Sequence, residues 1–100
     1  MPIRVELQDE RGGTIGLYLG PHLDLGFVES ASQETSCFRF IDPWGDTTFN
    51  QEQIPVLIAE FKAEALKTSD LASRIRLDAL IDFVEGARDS MHTYVKFIGD

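Results

Sequence analysis

Residues 42–65 read DPWGDTTFNQEQIPVLIAEFKAEA, and a change of period inside this stretch decides the fold class. Asp42-Pro43-Trp44-Gly45-Asp46 is turn chemistry, because proline presets φ and glycine permits the reversal. Asn50 followed by Gln53 has the spacing of a capping box. Pro55 falls in the first helical turn, where the N–H it lacks would have no partner anyway. Regular helix is expected from about Gln53 or Ile54. Ile54, Leu57, Ile58, Phe61 and Ala65 then share one face at helical spacing. Downstream, Thr68-Ser69-Asp70 offers a stop and a new N-cap. A second helix is expected from about Leu71 to Gly86, with Leu77, Leu80, Ile81 and Val84 as its apolar stripe and Gly86 as its C-terminal cap.

Upstream the period is two. Ile3, Val5 and Leu7 alternate with Arg4, Glu6 and Gln8, as in a half-buried strand. Asp9 to Gly13 supplies turn residues. Ile15, Leu17 and Leu19 alternate with Thr14, Gly16 and Tyr18, giving a hairpin partner that Gly20-Pro21 ends. Leu23, Leu25 and Phe27 predict a third strand, Glu29–Ser36 a polar loop, and Cys37–Ile41 a fourth strand. His92–Ile98, rich in β-branched and aromatic residues, predicts a last one. The order β-β-β-β-α-α-β makes one α+β domain over residues 1–100, with an antiparallel sheet of about five strands and two helices packed on one face. In this register Leu17 and Leu25 face the core, while Gly16, Tyr18, Gly26 and Val28 line the open face.

The chain has 100 residues, 43% hydrophobic and 26% charged, which fits one ordered globular core. No apolar run approaches the roughly 20 residues that span a bilayer, and MPIRVELQDE lacks the apolar centre of a signal peptide, so no membrane partner is expected. A single cysteine, Cys37, forms no internal disulfide and fits the reducing cytoplasm. The net charge is −8 and uneven. In residues 12–61 seven acids (Asp24, Glu29, Glu34, Asp42, Asp46, Glu52 and Glu60) face one base, Arg39, leaving −6. That sign repels phosphate backbones, which argues against nucleic acid, and attracts a basic protein or a cation. It also serves solubility.

Among chemistry-bearing residues, Asp42, Asp46 and Asn50 are hard oxygen donors within one short stretch, of the type that Mg²⁺ or Ca²⁺ takes, but without EF-hand spacing. Ordinary turn and cap duty accounts for all three and is the favoured reading. Trp44 at the turn tip, flanked by Asp42, Asp46 and Glu52, is the candidate anchor of a recognition loop. Cys37 between aromatic neighbours reads as a small buried hydrophobe rather than a nucleophile. His22 reads as an exposed turn residue and His92 as the opening of the last strand. Glu60 with Glu64, and Asp78 with Asp82, are i, i+4 pairs read as solvated helix faces. Gly12-Gly13-x-x-Gly16 lies in a hairpin, so it is no phosphate loop. No catalytic residue, metal or cofactor is expected.

The strings IDPWGDTTFNQEQIPVLIAEF and YVKFIGD resemble a family of small uncharacterised bacterial proteins. These share an acidic-Pro-aromatic-Gly-Asp-Thr turn, an Asn before a helix and a Phe-Ile-Gly-Asp end. The resemblance covers about Phe38–Phe61 and His92–Asp100; it implies a shared fold and no activity.

Three functions remain in view. The first is a small acidic, non-enzymatic interaction domain, such as an immunity-type or regulatory protein, that binds a basic partner through Asp42, Trp44, Asp46, Asn50 and Glu52. The second is a small metal-dependent enzyme built on Asp42, Asp46 and Asn50. The third is a homo-oligomer joined through the open face of the sheet.

Overall fold

A computed structural model describes residues 3–20, 36–42, 44–88 and 92–99. The expected strand at Leu23–Phe27, His22, and the acids Asp24, Glu29 and Glu34 lie outside the described residues. The elements are β1 (Arg4–Gln8), β2 (Thr14–Leu17), a 3-10 turn (Phe38–Phe40), β3 (Asp46–Phe49), α1 (Ile54–Lys67), α2 (Leu71–Glu85) and β4 (Tyr94–Ile98). The four described strands pair antiparallel in the order β2-β1-β4-β3. The fold is α+β, as the change of period predicts.

Register places Val5 and Thr47 opposite Phe97, and Leu7 and Phe49 opposite Val95. One sheet face therefore carries Val5, Phe49, Val95 and Phe97, all buried, and the helices cover it. On α1 the expected stripe of Ile54, Leu57, Ile58, Phe61 and Ala65 is buried, and on α2 Leu77, Leu80, Ile81 and Val84 are buried. Phe61 meets Phe97 edge-on at 6.1 Å, which seats α1 over β4. Phe83 meets Tyr18 at 5.5 Å, which seats α2 toward β2. The predicted caps form. Asn50 N–H donates to Gln53 Oε1 at 2.9 Å while Gln53 N–H donates to Asn50 Oδ1 at 3.0 Å. Asp70 accepts from the Ser73 hydroxyl at 2.7 Å and the Ser73 N–H at 3.3 Å.

Three expectations need correction. Cys37–Ile41 is not a strand, because Phe38 and Ile41 are buried three residues apart while Arg39 and Phe40 are exposed, a spacing that suits a 3-10 turn. The strand before the helices is instead Asp46–Phe49, where Thr47 and Thr48 supply β-branched residues and Phe49 the buried anchor. The faces of β2 are reversed. Tyr18 packs inward on Phe83, Gly16 lies against Leu7, and Leu17 sits opposite Glu6 on the open face. A bulge between Leu7 and Gln8 places Thr14 opposite Gln8 and leaves Ile15 extra. The large Tyr18 ring, not the leucines beside it, fills the space beneath α2.

Candidate interaction surface

The loop from Asp42 to Gly45 is fixed by its own polar groups. Asp42 Oδ1 accepts the Trp44 N–H at 2.9 Å, and the Asp42 N–H donates to Thr47 Oγ1 at 2.9 Å. Gly45 N–H reaches Asp42 O at 3.4 Å, and Gly99 N–H donates to Gly45 O at 2.8 Å, tying the loop to the end of β4. A Cβ on Gly45 would stand 2.7 Å from Asp42 Oδ2, so a side chain there would displace the carboxylate that holds the Trp44 N–H. On this frame Trp44 is 63% exposed; Phe40, four residues earlier at the end of the 3-10 turn, is 59% exposed with the Arg39 guanidinium 4.6 Å from its ring centre. Large aromatics left in water on a hydrogen-bonded turn are the composition of an interface anchor.

The five sequence-predicted residues divide into two groups. Asp42, Trp44 and Asp46 lie together at one end of β3. Asn50 and Glu52 lie beyond its other end, and a rise of about 3.3 Å per residue puts roughly 13 Å of strand between Asp46 and Asn50. Asp46 faces Lys96 Nζ at 3.4 Å, and Asn50 is committed to its cap with Gln53. The three oxygen donors of the metal reading therefore do not converge. Among the described residues no group of three His, Cys, Asp or Glu side chains is placed to hold a metal ion. Glu52 is exposed.

Glu60 is the residue that sequence reasoning misplaced. It is not part of a solvated face: its carboxylate accepts the backbone N–H groups of Ser36, Cys37 (2.8 Å) and Phe38 (3.0 Å). It thereby satisfies the orphan donors that open the 3-10 turn. The signal available was its position, next to the buried Phe61 of the apolar stripe. Cys37 is buried, and that burial, then the charge of Glu60, pushes its thiol above its ordinary value. Asp78 and Asp82 are exposed, as expected. His92 has φ +57° and its Nδ1 lies 3.3 Å from Glu10 Oε2, beside a shallow depression of about 260 Å³ that Ile15 and Thr93 also line. Asp9 there accepts the N–H groups of Arg11 and Gly13, which is turn duty.

Comparison of the chain with protein-family models, with curated proteins and with solved structures found no match. Among the described residues no helix is long and apolar enough to cross a membrane.

Proposed function

We propose that this is a non-enzymatic interaction domain that binds a basic protein through the Asp42–Asp46 loop, with Trp44 as anchor. The observation that carries the reading is Trp44, 63% exposed on a turn held by the Asp42–Trp44 hydrogen bond of 2.9 Å. A turn backbone already fixed in place loses little freedom on binding. Asp42 gives the rim a negative sign, with Asp46 on the other side paired to Lys96 at 3.4 Å, and net negative charge speeds encounter with a basic surface and selects against acidic ones. An immunity-type inhibitor or a regulator of a basic enzyme is the form this takes, and the single cysteine, Cys37, suits a reducing cytoplasm.

Capture from the source cell's lysate by the wild-type chain and by Trp44→Ala, each at low and high salt, tests it. A captured protein is then purified and titrated while Trp44 emission is followed. A basic protein that shifts the emission, releases in salt and ignores Trp44→Ala supports the reading. Retention unchanged by both salt and Trp44→Ala overturns it.

A further inference from the structure

Arg39, the one base in residues 12–61, lies on an exposed aromatic ring. Two buried side chains anchor the 3-10 turn on either side of Arg39 and Phe40: Phe38, edge-on to Phe61 at 5.0 Å, and Ile41. Phe40 N–H donates to Cys37 O at 2.9 Å, and Ile41 N–H to Phe38 O at 3.2 Å. The turn so held keeps Phe40 out of the core, and the Arg39 guanidinium stands 4.6 Å from its ring centre, within the range at which a cation is drawn to a ring. Thr47 ties this turn to the Trp44 loop. Its hydroxyl donates to Phe40 O at 3.4 Å and accepts the Asp42 N–H at 2.9 Å, while Asp42 accepts the Trp44 N–H.

We propose that the Phe40 ring is a seat for a guanidinium of the basic partner, and that Arg39 is the chain's own placeholder in it. The inference rests on the Asp42–Asp46 loop as the surface that takes a basic protein, and adds a second contact that sets which basic groups are accepted.

The chemistry of the occupant is that of the group already there. A guanidinium is planar and weakly hydrated, so it stacks on an aromatic face more readily than an ammonium does. The seven acids of residues 12–61 draw an incoming arginine toward this half of the chain. On arrival it replaces one guanidinium by another, an exchange close to neutral in energy. A partner without arginine has to lift Arg39 off the ring and leaves nothing in its place. The placeholder therefore works as a filter, because specificity is a difference between affinities.

Calorimetric titration of the full chain with a nona-arginine peptide at low salt tests it, in the wild type, Arg39→Gln, Phe40→Leu and the double variant. Both side chains are exposed, so circular dichroism should be the same for all four. Arg39→Gln should bind more tightly, partly because a repelling charge is gone. The part that belongs to the ring is lost in the double variant, which should bind about two- to fivefold more weakly than Arg39→Gln. Phe40→Leu alone should stay within about twofold of the wild type, because ring and placeholder lose their roles together. Nona-lysine should show a smaller difference between Arg39→Gln and the double variant. Equal binding of nona-arginine by those two overturns the proposal, since charge alone then accounts for the gain. A Phe40→Leu loss as large in the wild type as in Arg39→Gln also overturns it, since Arg39 then holds no place. Trp44→Ala, titrated alongside, separates the seat from the loop. Weaker binding by Trp44→Ala with no Arg39–Phe40 coupling overturns the seat and leaves the loop standing. Coupling with Trp44→Ala unaffected supports the seat and removes Trp44 as anchor.

Discussion

Glu60 holds Cys37 in place: from the middle of α1 its carboxylate accepts the Cys37 backbone N–H at 2.8 Å, and it takes the neighbouring Ser36 and Phe38 N–H groups as well. The one side chain thus serves as N-terminal cap for a turn that has no capping side chain of its own. Glu60→Ala would leave those donors unpaired at a part-buried site, at a cost of about 1–3 kcal/mol. Glu60→Gln retains one acceptor oxygen and should fall between it and the wild type. Urea unfolding midpoints measure both; an Ala variant as stable as the wild type would show that water replaces the carboxylate.

Stability in alkali should fall in two steps. Burial raises the Cys37 thiol above its ordinary 9.0, with Glu60 adding to the shift, and burial raises the Tyr18 phenol above its ordinary 10.0. In both cases the folded chain favours the neutral form. The stabilisation is complete below the unfolded value and is lost as pH climbs through the folded one. Unfolding midpoints between pH 8 and pH 11 should therefore decline, and Cys37→Ala should remove the earlier part of the decline. Tyr18→Phe should remove the later part.

In acid the sign reverses. Asp70 lies below its ordinary 3.8 because the Ser73 hydroxyl and N–H bond its carboxylate, and Glu85 lies below 4.5 because of Lys62. Each contributes stability that is present above the unfolded value and disappears as pH falls through the folded one. Asp70→Ala should flatten the acid limb of a melting-temperature profile below about pH 4. A limb of unchanged slope would mean that the cap between α1 and α2 does not form in solution.

Trp44 and Gly45 are neighbours with opposite tolerances. Trp44→Ala should change stability by no more than about 0.5 kcal/mol, as exposed positions do. Gly45→Ala should cost more, because its Cβ would meet Asp42 Oδ2 at 2.7 Å and disturb the bonds that set the loop. Thermal melts of the two variants separate the roles. A destabilised Trp44→Ala would make the tryptophan part of the fold rather than its exposed anchor.

Elements governed by contacts close in sequence were legible beforehand. Asn50 with Gln53, Asp70 as an N-cap, and the stripe from Ile54 to Ala65 each depend on neighbours within a few turns. What stayed hidden depends on distant partners. Phe38 and Ile41 look like strand residues until Glu60, over twenty positions away, claims the N–H groups around Cys37. Thr47 and Thr48 look like the end of a turn until β4 arrives to pair with them. The face that Leu17 takes is settled by the bulge after Leu7 and by Phe83 on α2, neither visible in the alternation itself. The candidate loop was legible as turn chemistry, but the strand that divides Asp46 from Asn50 was not.

The position of β4 has a consequence for biosynthesis. It lies between β1 and β3, so neither the pairing of Val5 with Phe97 nor that of Phe49 with Val95 can form until residues 94–98 are made. A chain emerging from the ribosome can build the β1–β2 hairpin and both helices, whose contacts are local, but it cannot close the sheet over them. Val5, Phe49 and the stripe of α1 therefore wait uncovered for the whole interval that it takes to synthesise α2. A stalled or truncated product lacking Tyr94–Ile98 should be a substrate for proteases and chaperones rather than a weakened version of the native domain.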